Sequence, residues 1–200
     1  MNERLKENAP GALLAALRKQ NGWTLAEVSG RTGVSISTLS KIENGVSAPA
    51  YSVLVRLADG LQLDISALLG QPRATFGTGV REVTPAGQGI RYSNDMGGYE
   101  DIAAGLSGKA MQPMIIDIPY RDGAAEQVRS EHNGQEYVLV LSGAVVFEME
   151  HYAPTRLGPG DSLYFDSGAR HGFSAETAGG ARILSVCHVP HPGLPQDPTT

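Results

Sequence analysis

The chain is predicted to fold as two domains of opposite class, an all-α domain of five short helices followed by an all-β sandwich or barrel. Three observations carry this. Up to residue 70 the apolar residues recur three and four positions apart, the period of an amphipathic helix. At residues 71–79, QPRATFGTG, Pro, Gly and Thr interrupt that period. Beyond them, short β-prone runs alternate with Gly, Pro and Asp, and no helical period returns. The expected boundaries are a helical domain over 8–70, a linker over 71–79, a β domain over 80–191 and a disordered, Pro-rich tail over 192–200.

Each helix has its own signal. In GALLAALRKQ, Leu13, Leu14 and Leu17 fall on one face. Thr24 with Glu27 three residues on is a capping box, so a second helix starts there. Ala26, Val28 and Thr32 leave small or branched faces where this helix would cross the next. Gly30 inside it costs about 1 kcal/mol relative to Ala. Gly33 stands where the turn needs positive φ, and Ser35 can cap a third helix. Leu39 and Ile42 point inward together, which leaves Ile36, Ser37 and Lys41 towards solvent or DNA. Asn44-Gly45 stops this helix. Val53, Leu54, Leu57 and Leu61 mark a fourth, and Asp64 can cap the short ISALL. Trp23 is read as packing beside the second helix.

The run TLAEVSGRTGVSISTLSKIENG, residues 24–45, has the grammar of a helix-turn-helix, two short helices joined by a tight turn. An ordinary helical hairpin can look similar. The full run, from about residue 10 to 70, resembles the lambda-repressor-like (XRE) family of DNA-binding domains. The resemblance implies an operator on double-stranded DNA, bound by a homodimer because one reading helix sees too few base pairs. By position in the family pattern, Ile36, Ser37 and Lys41 should face base edges with Leu25 beside them. Thr24 and Asn44 should hold the phosphate backbone, and Ser35 belongs to the same surface.

Composition bounds the rest. With 41% hydrophobic and 18% charged residues the 200-residue chain is globular rather than disordered. The single cysteine, Cys187, excludes an internal disulfide and fits a reducing cytoplasm. No apolar run approaches the ~20 residues of a membrane span, and MNERLKENAPG is too polar for a signal peptide. The net charge of −5 is uneven: residues 1–70 carry +1 and residues 71–200 carry −6. A nearly neutral DNA-reading half has little general pull on phosphates, so placed contacts and dimerisation must supply affinity.

The β domain is expected from GIRYS, MQPMIIDIPY, EYVLVLSGAVVFEMEHY, DSLYFDS, HGFSAE and ARILSVCHV. Glu148 and Glu150 alternate with Phe147 and Met149, as on a half-buried strand. His151 and Tyr152 read as a surface pair at a strand end. Cys187 reads as a small buried apolar residue, and His188 and His191 as solvated. Two segments carry candidate chemistry: HNGQEYVLVLSG, with His132, Glu136 and Gly143, and GPGDSLYFDSGARHGF, with Gly160, Asp161, Gly168 and His171.

Together these segments resemble the two motifs of the cupin superfamily, a small double-stranded β-barrel, over roughly residues 110–190. The resemblance implies a jelly-roll barrel and a site of His132, Glu136 and His171. Two departures stand out: Ser130 takes the place of a first histidine, and Asp166 that of a proline. Two histidines and a carboxylate would suit one divalent metal, Zn, Fe or Mn, with water completing the shell. The alternative is a pocket that hydrogen-bonds an organic ligand without metal. The expected function is a transcription regulator whose barrel senses a small polar effector, without catalysis. The alternative is a cupin oxygenase or isomerase with an appended DNA-binding domain, although no second acid-base pair supports it. An antitoxin or DNA-packaging protein would not need a pocketed barrel.

Overall fold

The computed structural model describes residues 10–70, 74–122 and 129–188. His191 and the expected tail lie outside them. The helical part holds α1 (Pro10–Gln20), α2 (Leu25–Thr32), α3 (Ile36–Glu43), α4 (Tyr51–Leu61) and α5 (Ser66–Leu69). The capping box of α2 forms: the Thr24 side chain accepts from Glu27 N, and the Glu27 carboxylate accepts from Thr24 N. Gly33 closes α2 at φ 68°. Ser35 Oγ accepts from Thr38 N and starts α3. Asp64 Oδ1 accepts from Ser66 N at the start of α5.

Leu14, Val28, Val34, Leu39, Ile42, Leu54, Leu57, Leu68 and Leu69 fill the helical core. Each such side chain contributes about 1.5–3 kcal/mol when fully buried. Val28 and Thr32 of α2 are buried as expected, but Ala26 is exposed and takes no part in a helix crossing. An eight-residue helix buries only a narrow stripe, and here Val28 and Thr32, four apart, are that stripe. Two glycines set how closely the helices approach. A Cβ on Gly60 would lie 2.4 Å from Arg31 O, and one on Gly11 would lie 2.0 Å from Ile42 O. Arg18 of α1 makes a bidentate pair with Glu43 at the end of α3, at 2.7 and 2.8 Å, and so braces that helix.

The β part contains β1 (Ala74–Thr75), β2 (Ile90–Asn94), β3 (Gly97–Asp101), β4 (Leu106–Ser107), β5 (Met111–Ile118), β6 (Gln135–Ser142), β7 (Val145–Met149), β8 (Thr155–Leu157), β9 (Ser162–Asp166), β10 (His171–Ala175) and β11 (Ala181–His188). A six-stranded antiparallel sheet runs β2-β3-β5-β11-β6-β9, and a three-stranded antiparallel sheet runs β10-β7-β8. Strand β1 pairs with β4 in parallel, so the stretch expected as a linker lends a short strand to the β part. Strands β3, β4 and β8 have no counterpart among the expected runs. Phe147, Phe165 and Phe173 pack between the sheets with Val138, Val140 and Ile183. Among the described residues no helix is long and apolar enough to cross a membrane.

Candidate functional site

Two separate surfaces carry the chemistry. The first is the outer face of α3. Leu39 and Ile42 are sunk in the core, which turns Ile36, Ser37, Lys41 and Asn44 outward. Ile36 is 50% exposed, unusual for so large an apolar side chain at a helix start. An apolar group there suits contact with a thymine methyl in the major groove. The other expected contact residues also interact within the helical domain, and Thr24, Ser35 and Asn44 are exposed. Leu25 is half-buried and packs on the helical core. The Thr24 hydroxyl donates to Glu27 Oε2, and the Asn44 amide folds back on Ser40 O at 2.8 Å. Ser35 is occupied by capping and contacts Ser37 Oγ and Thr38 Oγ1.

The second site lies between the two sheets. Strand β6 alternates, with Glu136, Val138 and Val140 inward, so period-two geometry alone puts Glu136 in the interior. His132 reaches it from the segment before β6, and His171 from the start of β10 in the other sheet. His132 Nε2 lies 3.4 Å and His171 Nε2 3.5 Å from Glu136 Oε2. The two imidazoles meet edge to face at 5.4 Å. The three side chains expected at the site therefore meet, both histidines converging on the Glu136 carboxylate.

The pocket contains more than those three. Ser185 donates to Glu136 Oε1 at 2.7 Å, and Cys187 lies beside it on the same inward face of β11. His132, Glu136 and Cys187 present ligand atoms all within 4.8 Å of one another. Ser130 is buried and bridges to His171 through paired backbone hydrogen bonds. Tyr51, the first residue of α4, stands edge-on to His132 with ring centroids 5.0 Å apart. Sequence reasoning missed Tyr51 and Ser185. Strand alternation from Cys187 to Ser185 offered a signal for the serine; nothing local marked the tyrosine.

The electrostatics follow from burial. Burial pushes the Glu136 carboxyl up, but His132 and His171 more than offset this and draw it down to about 2. Burial pushes the Cys187 thiol well up, with Glu136 adding to the effect. His171 Nδ1 contacts Ala169 O at 2.8 Å. A carbonyl can only accept, so Nδ1 carries the proton and Nε2 faces the carboxylate. In a neutral imidazole that places a lone pair against the carboxylate, which invites a proton or a cation between them. His132 Nδ1 is buried with no hydrogen-bond partner among the described residues. The donor set thus fits one small divalent ion. The cavity at its centre measures about 30 Å³, whereas a buried water needs on the order of 10–15 Å³. Two larger hollows, of about 300 and 940 Å³, lie elsewhere on the barrel and hold no histidine.

Comparison with known proteins agrees with this division. Residues 11–69 match the family model of a helix-turn-helix domain, and residues 119–187 that of a cupin domain. The HTH-type transcriptional regulator PuuR of Escherichia coli (strain K12) is 28% identical over 190 residues, covering 91% of this chain and 95% of PuuR. The HTH-type transcriptional regulator SutR of the same organism is 36% identical over 61 residues, covering 30% of this chain and 34% of SutR. The crystal structure of an HTH_3 family transcriptional regulator from Vibrio cholerae superposes with a TM-score of 0.57. It shares 21% identity and covers 93% of this chain and 98% of that one, a likeness of fold.

Proposed function

We propose a working scheme for this chain, which is an XRE-type helix-turn-helix transcriptional regulator carrying a cupin domain. In the scheme the outer face of α3 reads an operator. The protein acts as a homodimer, with two copies of α3 about one helical turn, ~34–36 Å, apart on DNA. The barrel pocket around Glu136 senses a small polar effector. An effector that binds two dimer arrangements unequally would change the spacing of the reading helices. The scheme requires no catalysis.

The observation that supports DNA reading is the exposed Ile36-Ser37-Lys41 face on a helix whose other face is core. Operators selected from random-sequence duplexes would test it. Lys41→Ala with Ser37→Ala should abolish the specific footprint, since each good base contact contributes ~1–3 kcal/mol of discrimination. A wild-type footprint from that double variant would sink the assignment.

A metal version of the pocket is favoured by one observation, the convergence of His132 Nε2 and His171 Nε2 on Glu136 Oε2 at 3.4 and 3.5 Å. His132, Glu136 and His171 would hold a Zn, Fe or Mn ion, which would supply a positive charge that attracts an anionic or carbonyl-bearing effector. Metal analysis of chelator-free protein decides this. Near-stoichiometric metal lost on His132→Ala establishes the ion, and metal-free protein makes the site a hydrogen-bonding pocket.

A further inference from the structure

The barrel site is closed by a residue of the DNA-reading domain. Tyr51 opens α4, yet its ring points away from the helical bundle into the β part. It is 4% exposed and touches His132 edge-on at 5.0 Å. It lines the same cavity as Met96, Tyr99, Met114, Glu136 and Cys187. With the ring seated, about 30 Å³ is left, against the ~300 Å³ or more of an ordinary small-molecule pocket. An ion or a water or two fits beside Tyr51. An organic effector does not.

The way the ring is held bears on whether it can leave. Its hydroxyl is buried against the Cys187 thiol, a weak hydrogen-bonding group, and meets no oxygen or nitrogen partner among the described residues. A buried hydroxyl that faces only a thiol gives up most of its hydration for little and regains it on release. The seat therefore rests mainly on ring contacts. Near it, the domains meet through few polar links: Asn94 Nδ2 donates to Pro49 O at 3.1 Å, two residues before Tyr51, and Gly108 N donates to Asp64 Oδ2 at 2.5 Å. Behind the ring, α4 packs on α2 at the Gly60 crossing, and α2 packs on α3.

We propose that Tyr51 is a displaceable plug: an organic effector takes the barrel pocket only by expelling the Tyr51 ring, so an occupied pocket and the seated α4 exclude each other. Expulsion shifts the start of α4 against the barrel, and α4 carries that shift to the helix pair that reads DNA. This deepens the sensor reading above and rests on it for its biological meaning, though not for its test.

Cys187, the single thiol, provides the reporter, because it is 1% exposed and lies in the plugged pocket. The experiment follows its alkylation by N-ethylmaleimide in the full-length folded chain. Wild type should react slowly, and Tyr51→Phe, which keeps the ring, should stay within about twofold of it. Tyr51→Ala should react at least about tenfold faster, with an unchanged circular dichroism spectrum, since opening now lacks the ring contact. Phenol added to Tyr51→Ala should refill the vacated ring position and slow alkylation again, as apolar guests fill engineered cavities. If the alanine variant does not fold, Tyr51→Leu is read in the same way. A shortened variant that reacts as slowly as wild type overturns the plug. So does fast alkylation that phenol leaves unchanged, because that marks a barrel loosened as a whole. The alkylated wild type, whose adduct cannot share the pocket with the ring, is then assayed on the selected operator. Unchanged operator affinity would leave the plug standing and remove the sensor reading.

Discussion

The outer face of α3 and the interior of the barrel do opposite things with their candidate functional residues. On α3, Ile36, Ser37 and Lys41 face solvent, and the fold is held by the other side of the helix, through Leu39 and Ile42. In the barrel, His132, Glu136, His171 and Ser185 are themselves buried and packed against one another. Function and stability are thus separable on the helix and inseparable in the pocket. A reading surface built this way can change its sequence preference at little cost to folding. A buried polar pocket cannot lose a charged member without leaving the others unpaired in a dry interior.

The largest effect expected from this contrast is at Glu136. Glu136→Ala strands two histidines and the Ser185 hydroxyl, and should cost about 3–5 kcal/mol in urea unfolding. A loss below about 1 kcal/mol would show that water or neighbouring groups readily replace the carboxylate. The same residue predicts a pH dependence. Its folded pKa, about 2, is below its ordinary value of 4.5, so the folded state binds the proton less readily. The stabilisation is present above pH 4.5 and is lost as pH falls towards 2. Glu136→Gln should flatten that acid limb, and an unchanged limb would assign it to other carboxylates.

Next in size is the helix crossing. Gly60→Ala places a methyl on the backbone of Arg31 and Thr32 and should destabilise by about 1–3 kcal/mol. Thermal unfolding measures it; an unaffected midpoint would mean that α2 and α4 can separate without loss. Gly30→Ala tests the same helix from its solvent side. Gly30 is exposed and nothing lies within 4 Å of a Cβ there, so the variant should gain about 1 kcal/mol. The smallest effect sharpens the contrast most. Lys41→Ala with Ser37→Ala should change unfolding free energy by no more than about 0.5 kcal/mol while operator binding fails. A large stability loss would mean that this face is also structural.

Legibility followed the range of the interactions. The helix-turn-helix could be read because each of its signals is local: Thr24 with Glu27, Gly33, Ser35, and the Leu39–Ile42 spacing all lie within a few residues of what they control. Glu136 was placed in the barrel by the resemblance of its motif to that of cupins, and the alternation along β6 accounts for its inward position. Strand β3, GGYED, escaped because it lacks an aliphatic alternation. Tyr99, Glu100 and Asp101 are buried there by their partners β2 and β5. Ala26 was misjudged because capping marks where a helix begins but not which way its narrow apolar stripe faces.

The sequence by itself determined two domains, their classes and the capped helix α3, while the residues that meet at Glu136 came from the resemblance of two motifs to cupins. It did so through short-range geometry: helical period, strand period, and caps that satisfy backbone groups within one turn. Only the tertiary structure decided that Tyr51 closes the barrel pocket and that Cys187 and Ser185 share it with Glu136. Tyr51 and His132 are far apart along the chain, and whether they touch depends on how a helix end docks against a sheet. That docking is a sum of apolar contacts without direction or sequence period, so no pattern in either segment records it.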